Sequence, residues 1–227
     1  MRVLYVMDPI THINPNKDTT FALIEEGQAR GHENFVCGVA DVFTVGAQAL
    51  AYARAVHVRR PTAKDSTHAT LQEKKAIALD DFDVVWMRKD PPVDDVYLFC
   101  CMMLDLCDPR RTLVLNHPAN LRVVHEKMWA LSFLDAFPEL MPRTVVSSDP
   151  HTLVDFVKSE GRAVLKPLHL MGGMGVFAFS SDDVNLRSAA ELLTQEGKRP
   201  AIAQEFLPAV RQGDKRVILL DGKPVCA

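Results

Sequence analysis

Residues 163–175 read AVLKPLHLMGGMG, and this stretch decides how the rest of the chain is interpreted. Its apolar start predicts a buried strand that ends at Lys166, because Pro167 has no backbone N–H to donate to a neighbouring strand. Three glycines follow within four positions, and the apolar run 176–179 predicts a second strand. A cation before a glycine-rich turn can hold a polyphosphate, since glycine lets backbone N–H groups approach the phosphate oxygens. The same pattern fits a plain hairpin, so the stretch alone leaves both interpretations open.

The composition is that of an ordinary globular protein. Of the 227 residues, 48% are hydrophobic and 24% are charged, which is enough apolar material for a core. The formal net charge of -3 offers no basic surface for nucleic acid. The five cysteines lack paired spacing and the eight histidines lack zinc-ligand spacing. The start of the chain predicts a strand rather than a signal peptide. We therefore expect a cytoplasmic protein that binds neither nucleic acid nor membranes.

The first hundred residues predict an α/β sheet. The apolar run 2–7 predicts a buried parallel strand, and Asp18 is a good first residue for a helix that ends at Gly31. Residues 35–39 predict the next strand, which completes a βαβ-like opening. Residues 71–79 predict a helix, and residues 83–87 predict another buried strand.

A charged cluster follows this last strand. Residues 88–92 read RKDPP, and ligands of open α/β sheets gather beyond the carboxyl ends of the strands. Arg88 and Asp90 are therefore candidate binding residues, although a solvated turn explains the same pattern. Asp94 then predicts the start of an apolar helix, and residues 112–115 predict a strand.

The second half of the chain predicts a separate α+β unit. Residues 128–137 predict an amphipathic helix and residues 142–146 an edge strand. A helix over 153–159 precedes the glycine-rich stretch, and a strand over 201–207 follows it. Asp221 and Gly222 form a typical hairpin turn.

Five short motifs occur in a fixed order. They are MRKDPP at 87–92, EK at 126–127, LKPL with MGG at 165–173, QEFLP at 204–208 and GDKR at 213–216. Together they resemble the prokaryotic glutathione synthetases, which are ATP-grasp ligases, over essentially the whole chain. The resemblance implies a Rossmann-like N-terminal domain with a parallel sheet (residues 1–122). An incomplete ATP-grasp domain of α+β type (residues 123–227) follows it.

The resemblance also implies roles for individual residues. Lys127 and Lys166 would hold the ATP phosphates, and Arg216 would be a catalytic residue in contact with phosphate or carboxylate. Arg88 and Asp90 would bind the peptide substrate, and no metal ligand is assigned. The remaining ATP-binding residues would lie in the mobile loop and along the adenine: Met171, Gly172, Gly173, Gly175, Gln204, Glu205, Phe206 and Leu207. The competing interpretations are a surface lysine for Lys127, a solvated charge for Arg216, and core packing for Phe206 and Leu207.

The activity that the resemblance implies is the ligation of γ-glutamylcysteine to glycine with ATP and Mg²⁺, through an acyl phosphate and in a homo-oligomer. Two alternatives stay open: another ATP-grasp carboxylate–amine ligase, and a nucleotide-binding chain without catalysis. His169 and Leu170 stand where the family usually has Asp-Gly, and His125 stands where it commonly has asparagine. The family continues beyond residue 227, so we expect the Mg²⁺ ligands in that part. We also expect no turnover from a polypeptide that ends at Ala227.

Overall fold

A computed structural model describes residues 1–63 and 65–226. The chain divides into two compact units, of which unit 1 is Met1–Met128 and unit 2 begins at Trp129.

Unit 1 is built on an eight-stranded mixed sheet with the order β3-β4-β2-β1-β7-β8, in which β5 and β6 also pair with β4. Its strands are β1 (Arg2–Val6), β2 (Glu33–Cys37), β3 (Val42–Val45), β4 (Gln48–Val58), β5 (Ala69–Leu71), β6 (Lys75–Ala78), β7 (Val84–Met87) and β8 (Leu113–Leu115). Strands β2, β1, β7 and β8 are parallel, as the sequence predicts. The long strand β4 is antiparallel to β2, β3, β5 and β6. The predicted parallel sheet is therefore confirmed for half of the strands.

Three α-helices of unit 1 cover the two faces of this sheet: α1 (Thr19–Ala29), α2 (Asp95–Leu104) and α3 (Pro118–Val123). Helix α1 packs Phe21 and Ile24 against the side chains on one face. Helix α2 packs against the other face, and Leu121 of α3 joins it there. Asp18 and Asp94 cap α1 and α2 by accepting hydrogen bonds from backbone N–H groups three residues on, which confirms both predicted helix starts.

Two predicted helices are wrong. Residues 71–79 contain β6, which pairs with β4 so that Ile77 lies opposite Ala51. Leu, Glu, Lys and Ala favour a helix locally, but the ladder with a long neighbouring strand overrides that preference. The predicted helix 128–137 is instead a 3₁₀ helix, Trp129–Phe133, followed by turns. Its aromatic residues Trp129 and Phe133 stay about half exposed, so no buried apolar face stabilises an α-helix there.

Unit 2 contains a four-stranded antiparallel sheet with the order β11-β10-β12-β9. Its strands are β9 (Thr144–Ser147), β10 (Arg162–Pro167), β11 (Phe177–Ser180) and β12 (Ala201–Glu205). Helices α4 (Pro150–Glu160) and α5 (Leu186–Leu193) pack on one face. A hairpin of β13 (Ile218–Leu220) and β14 (Lys223–Cys226) follows. The predicted α+β character, the edge strand β9 and the hairpin at Asp221 and Gly222 are all confirmed.

Candidate functional site

Side chains on three neighbouring strands of unit 2 form one hydrogen-bonded chain. Lys166 Nζ donates to Gln204 Oε1 at 2.7 Å. Gln204 Nε2 donates to Thr144 Oγ1 at 2.7 Å, and Thr144 Oγ1 donates to the carbonyl of Pro142 at 2.7 Å. These three hydrogen bonds fix the Gln204 amide and hold the Lys166 ammonium in a defined place on the sheet.

The alternation of the strands explains why these polar groups share a face. Ala163 and Leu165 of β10 are fully buried under the helices, so Lys166 projects from the opposite face of the sheet. Gln204 is a diagonal neighbour of Lys166 in the antiparallel register. The sequence predicts that this strand ends at Lys166. In the structure it continues to Pro167, which lies opposite Ala201 in the register. A proline is tolerated at a strand end, where no ladder N–H is needed.

The glycine-rich loop joins β10 to β11 by two consecutive turns. The Met174 N–H donates to the Met171 carbonyl at 3.1 Å, and the Val176 N–H donates to the Gly173 carbonyl at 3.3 Å. The φ angles of Gly172, Gly173 and Gly175 are +62°, +79° and +70°, in the left-handed region that favours glycine.

Gly175 also lacks space for a side chain. A Cβ atom at this position would lie 3.1 Å from two ring carbons of Pro167. A Cβ atom at Gly172 or Gly173 would meet nothing within 4 Å. The loop backbone is therefore pressed against the end of β10 at Gly175 and open at the other two glycines.

The segment after Gln204 turns away from the predicted strand. Strand β12 ends at Glu205, whereas the sequence predicted a strand through residue 207. Glu205 pairs with Arg143 at 3.3 Å, and the Phe206 ring lies 4.0 Å from the Arg162 guanidinium carbon. Leu207 is 48% exposed and precedes the 3₁₀ helix Pro208–Gln212.

Lys127 lies at the end of unit 1. Its Nζ lies 3.3 Å from a carboxylate oxygen of Glu126, and its backbone N–H donates to Nδ1 of His125. Burial raises the pKa of the Glu126 carboxyl, but hydrogen bonds from its own backbone and from Lys127 outweigh burial and lower that pKa. The Lys127 side chain is 19% exposed, so it is not an ordinary solvated lysine.

Arg88 lies at the carboxyl end of β7, as predicted. Its Nε donates to Thr20 Oγ1 at 3.1 Å and its Nη2 donates to Thr19 Oγ1 at 2.8 Å. Its backbone N–H donates to the Val6 carbonyl at the end of β1. The two hydroxyls at the start of α1 therefore fix the plane of the guanidinium group.

Asp8 organises the next two residues of this cluster. Its carboxylate lies 3.0 Å from Lys89 Nζ and accepts a 3.3 Å hydrogen bond from the backbone N–H of Asp90. Lys89 Nζ also donates to the Asp90 carbonyl at 2.5 Å. A cavity of about 190 Å³ opens beside Asp8 at the carboxyl ends of β1 and β2, and Arg54 is among its lining residues. This edge is where open α/β sheets bind ligands.

Four site residues are not predicted from the sequence: Asp8, Thr19, Thr20 and Thr144. Asp8 directly follows a predicted strand, so the rule that pointed to Arg88 also points to Asp8. The threonine hydroxyls have no comparable signal, because their partners are distant in sequence.

The predicted residues are brought together in part. Arg88 and Asp90 share a cluster in unit 1, whereas Lys166, Gln204 and the glycine-rich loop share an end of the unit 2 sheet. Arg216 is exposed before β13, and no hydrogen bond or ion pair of its side chain occurs among residues 1–63 and 65–226.

Two negative findings apply to the described part of the chain. It contains no group of three or more His, Cys, Asp or Glu side chains that could hold a metal ion. It also contains no helix with the length and apolar character needed to cross a membrane.

Comparison with known proteins matches both parts of the chain. Residues 1–122 match the family model of the prokaryotic glutathione synthetase N-terminal domain, and residues 126–227 match that of the prokaryotic glutathione synthetase ATP-grasp domain. The glutathione synthetase of Thermosynechococcus vestitus is 40% identical over 233 residues, which cover 100% of this chain and 72% of that protein.

Solved structures share the fold. An ATP-grasp RimK domain protein from Sphaerobacter thermophilus gives a TM-score of 0.54 at 20% identity, over 92% of this chain and 65% of that one. The ATP-grasp ligase PsnB, solved with a minimal precursor, Mg and ADP, gives a TM-score of 0.50 at 18% identity, over 91% of this chain and 65% of PsnB. The chain belongs to the prokaryotic glutathione synthetase family.

Proposed function

We propose that this chain acts in glutathione synthesis, where ATP drives the ligation of γ-glutamylcysteine to glycine. The family match over both parts of the chain carries this proposal. The side chains of the candidate site fit the chemistry, because they are cations and hydrogen-bond donors suited to phosphates and carboxylates.

The ATP subsite is proposed on the face of the unit 2 sheet that lies opposite helices α4 and α5. The Lys166 ammonium, held by Gln204 at 2.7 Å, would bind phosphate oxygens. Backbone N–H groups of the loop 171–175 would approach the same oxygens, since its glycines leave the backbone uncovered. Lys127 would supply a second cation. Glu205, Phe206 and Leu207 would border the adenine, with the backbone past Gln204 forming hydrogen bonds to the base edge.

The peptide subsite is proposed at the carboxyl edge of β1 and β7. Thr20 accepts the Nε–H of Arg88 and Thr19 accepts one of the two Nη2–H groups, which leaves Nη1 and the second Nη2–H to bind a substrate carboxylate. Asp90, placed by Asp8 and Lys89, would accept a hydrogen bond from the substrate amine. This assignment gives one carboxylate contact and one amine contact on the same edge.

The proposed reaction needs no covalent bond to the protein. An oxygen of the cysteinyl carboxylate attacks the γ-phosphorus of ATP and ADP leaves, which gives an acyl phosphate. The glycine amine then attacks the acyl carbon, loses a proton, and phosphate leaves. The chain's contribution is to bind and orient: Lys127 and Lys166 offset phosphate charge, and Arg216 is proposed to stabilise the phosphoryl group in transfer.

Members of the ATP-grasp family use ATP with Mg²⁺. The described residues do not form a site for that ion on their own, since no group of suitable ligands is present among them. Four expectations stay predictions: Mg²⁺ ligands beyond residue 227, domains at 1–122 and 123–227, a cytoplasmic location, and association into a homo-oligomer.

A product assay tests the proposed function. Because no turnover is expected from a polypeptide that ends at Ala227, the chain would be joined to the part of a family member that follows the position of residue 227. The purified fusion would be incubated with γ-glutamylcysteine, glycine and Mg-ATP, and glutathione and phosphate would be quantified together. The expected result is equal amounts of both products, and a loss of both when any one substrate is left out. Replacing glycine by other amines distinguishes glutathione synthesis from another carboxylate–amine ligation. Efficient ligation of a different amine with no glutathione formed would contradict the proposal.

A further inference from the structure

The cavity at the carboxyl ends of β1 and β2 contains an unpaired cation. Arg54 of β4 lines this cavity, and no hydrogen bond or ion pair of its side chain occurs among residues 1–63 and 65–226. Ala53 and Ala55 pack into the core on the face that α2 covers, so Arg54 between them projects from the opposite face of the sheet. An unpaired guanidinium group beside a cavity is suited to an anionic ligand.

The other charged side chains around this cavity have protein partners. Lys74 forms an ion pair with Asp41, and both residues line the cavity. Asp8, which also lines it, lies 3.0 Å from Lys89 Nζ. Of the charged side chains that the structure describes in the lining, Arg54 is therefore the one whose charge is not offset by a neighbour. The cavity presents a net positive group to whatever enters it.

The size and the apolar part of the lining limit the kind of anion. Met7, Val36 and Cys37 are buried side chains that line the cavity. The cavity volume of about 190 Å³ is below the range of about 300–1,000 Å³ that is typical of pockets for drug-sized ligands. A nucleotide is too large for this space. A group of amino-acid size fits it, with methylene carbons against the apolar lining and a carboxylate at the guanidinium.

The peptide substrate of the proposed function has one charge that Arg88 and Asp90 do not bind. γ-Glutamylcysteine carries two carboxylates and one ammonium group at neutral pH. The proposed subsite gives Arg88 one carboxylate and Asp90 the amine. The α-carboxylate of the glutamyl group is bonded to the same carbon as the amine, so its partner has to lie near Asp90. Asp8 links the two places, because it accepts a 3.3 Å hydrogen bond from the backbone N–H of Asp90 and lines the cavity with Arg54.

We propose that Arg54 binds the α-carboxylate of the γ-glutamyl group, while Arg88 binds the carboxylate of the cysteinyl residue. The planar guanidinium group of Arg54 can donate to both carboxylate oxygens, and the methylene carbons of the glutamyl group lie against the apolar lining. Arg54 is then the residue by which the chain distinguishes a γ-glutamyl peptide from an acyl-cysteine without an α-carboxylate. This inference rests on the function proposed above and assigns a specificity-determining residue to its peptide subsite.

Calorimetric titration of the full chain with two related ligands tests the proposal. The second ligand is 4-aminobutyrylcysteine, which keeps the amine, the methylene carbons and the cysteinyl residue but has hydrogen in place of the α-carboxylate. The wild type should bind γ-glutamylcysteine about 10- to 100-fold more tightly than this analogue. Arg54→Gln should weaken binding of γ-glutamylcysteine by the same factor and leave binding of the analogue unchanged. A residue that only stabilised the sheet would weaken the binding of both ligands together.

Two further variants complete the experiment. Arg54→Lys keeps the charge without the planar fork and should bind γ-glutamylcysteine with intermediate affinity. Arg59→Gln is the matched control, since Arg59 is an exposed arginine just after β4 that pairs with Asp65, and it should change neither dissociation constant. A wild type that binds neither ligand overturns the proposed peptide subsite and this inference with it. If Arg88→Ala weakens binding of γ-glutamylcysteine but Arg54→Gln leaves the ratio of the two affinities as in the wild type, the peptide subsite is supported and the role of Arg54 is overturned.

Discussion

The Lys166 ammonium lies 2.7 Å from the side-chain oxygen of Gln204, across two antiparallel strands of unit 2. Gln204 is held in turn by Thr144 on the next strand, so the position of the cation is set by three strands at once. A charge held in this way loses little side-chain freedom when an anion binds, which favours binding.

Nucleotide affinity should depend on Lys166. In Lys166→Ala a charge-assisted contact to phosphate is lost, which should cost roughly 1.5–3 kcal/mol, or about 10- to 150-fold in the dissociation constant for ATP. Calorimetric titration measures this change. Lys198→Ala is the control, because Lys198 is a 75% exposed lysine of the same unit. Equal ATP affinity for the folded Lys166 variant and the control would remove Lys166 from the proposed ATP subsite.

Binding of the peptide substrate should depend on Arg88 and on the hydroxyls that orient it. Arg88→Ala should weaken binding of γ-glutamylcysteine about 10- to 100-fold with little effect on ATP, because a bidentate donor is lost. Thr20→Val should weaken γ-glutamylcysteine binding a few-fold. Thr20→Ser, which keeps the hydroxyl, should bind γ-glutamylcysteine as the wild type does. Arg30→Ala serves as the control, since Arg30 is exposed at the end of α1. A larger effect of Arg88→Ala on ATP than on the peptide would assign this residue to the nucleotide.

Local chemistry explains which elements the sequence predicts correctly. Asp18 and Asp94 cap their helices within three residues of themselves, so a short window contains the whole signal. The helix predicted for residues 71–79 is wrong because β6 is stabilised by β4, whose paired residues lie more than twenty positions earlier in the chain. No window that contains only the segment includes that partner.

The residues of the candidate site also depend on partners that are distant in sequence. The motif around Lys166 is visible in the sequence, but its partner Gln204 lies 38 positions away and Thr144 lies 60 positions from Gln204. Arg88 and Thr19 are 69 positions apart. The sequence thus identifies charged groups that can bind ligands, whereas the neutral groups that orient them emerge only from the folded sheet.

Gly175→Ala should destabilise unit 2 more than Gly172→Ala. Both changes force an alanine into a positive φ angle, at a cost of about 1–2 kcal/mol. Only the first also places Cβ 3.1 Å from the Pro167 ring, so β10 or the loop must shift. Urea unfolding of both variants measures the difference. Equal losses of stability in the two variants would show that the contact between the Cβ atom added at position 175 and the Pro167 ring is relieved without a cost in free energy.

Thiol labelling should separate the cysteines by burial. Burial raises the pKa of Cys100 and that of Cys107 to about 12, so at pH 8 roughly one such thiol in ten thousand is ionised. Cys226 is exposed and should react first with iodoacetamide. Mass spectrometry of the native protein should find label on Cys226 alone at early times, and urea should make Cys100 and Cys107 reactive. Early labelling of Cys100 in the native protein would contradict its burial between α2 and the sheet of unit 1.

The stability of helix α4 should fall in acid through Asp149. The Thr152 hydroxyl and the His151 backbone N–H donate to this carboxylate and lower its pKa below the ordinary 3.8. Because the pKa is lower in the folded state than in the unfolded state, the contribution is complete above about pH 4. This stabilising contribution is lost as the pH falls through the lowered pKa of Asp149 in the folded state.

Asp149→Asn provides the comparison, since its amide oxygen can still cap the helix but does not titrate. Urea midpoints of both proteins would be measured at pH 7, 5, 4 and 3. Other carboxylates titrate equally in both, so the difference between the two midpoints isolates Asp149. The advantage of the wild type should be constant between pH 7 and pH 5 and should shrink below pH 4. A difference that stays the same down to pH 3 would show that the Asp149 charge does not stabilise α4.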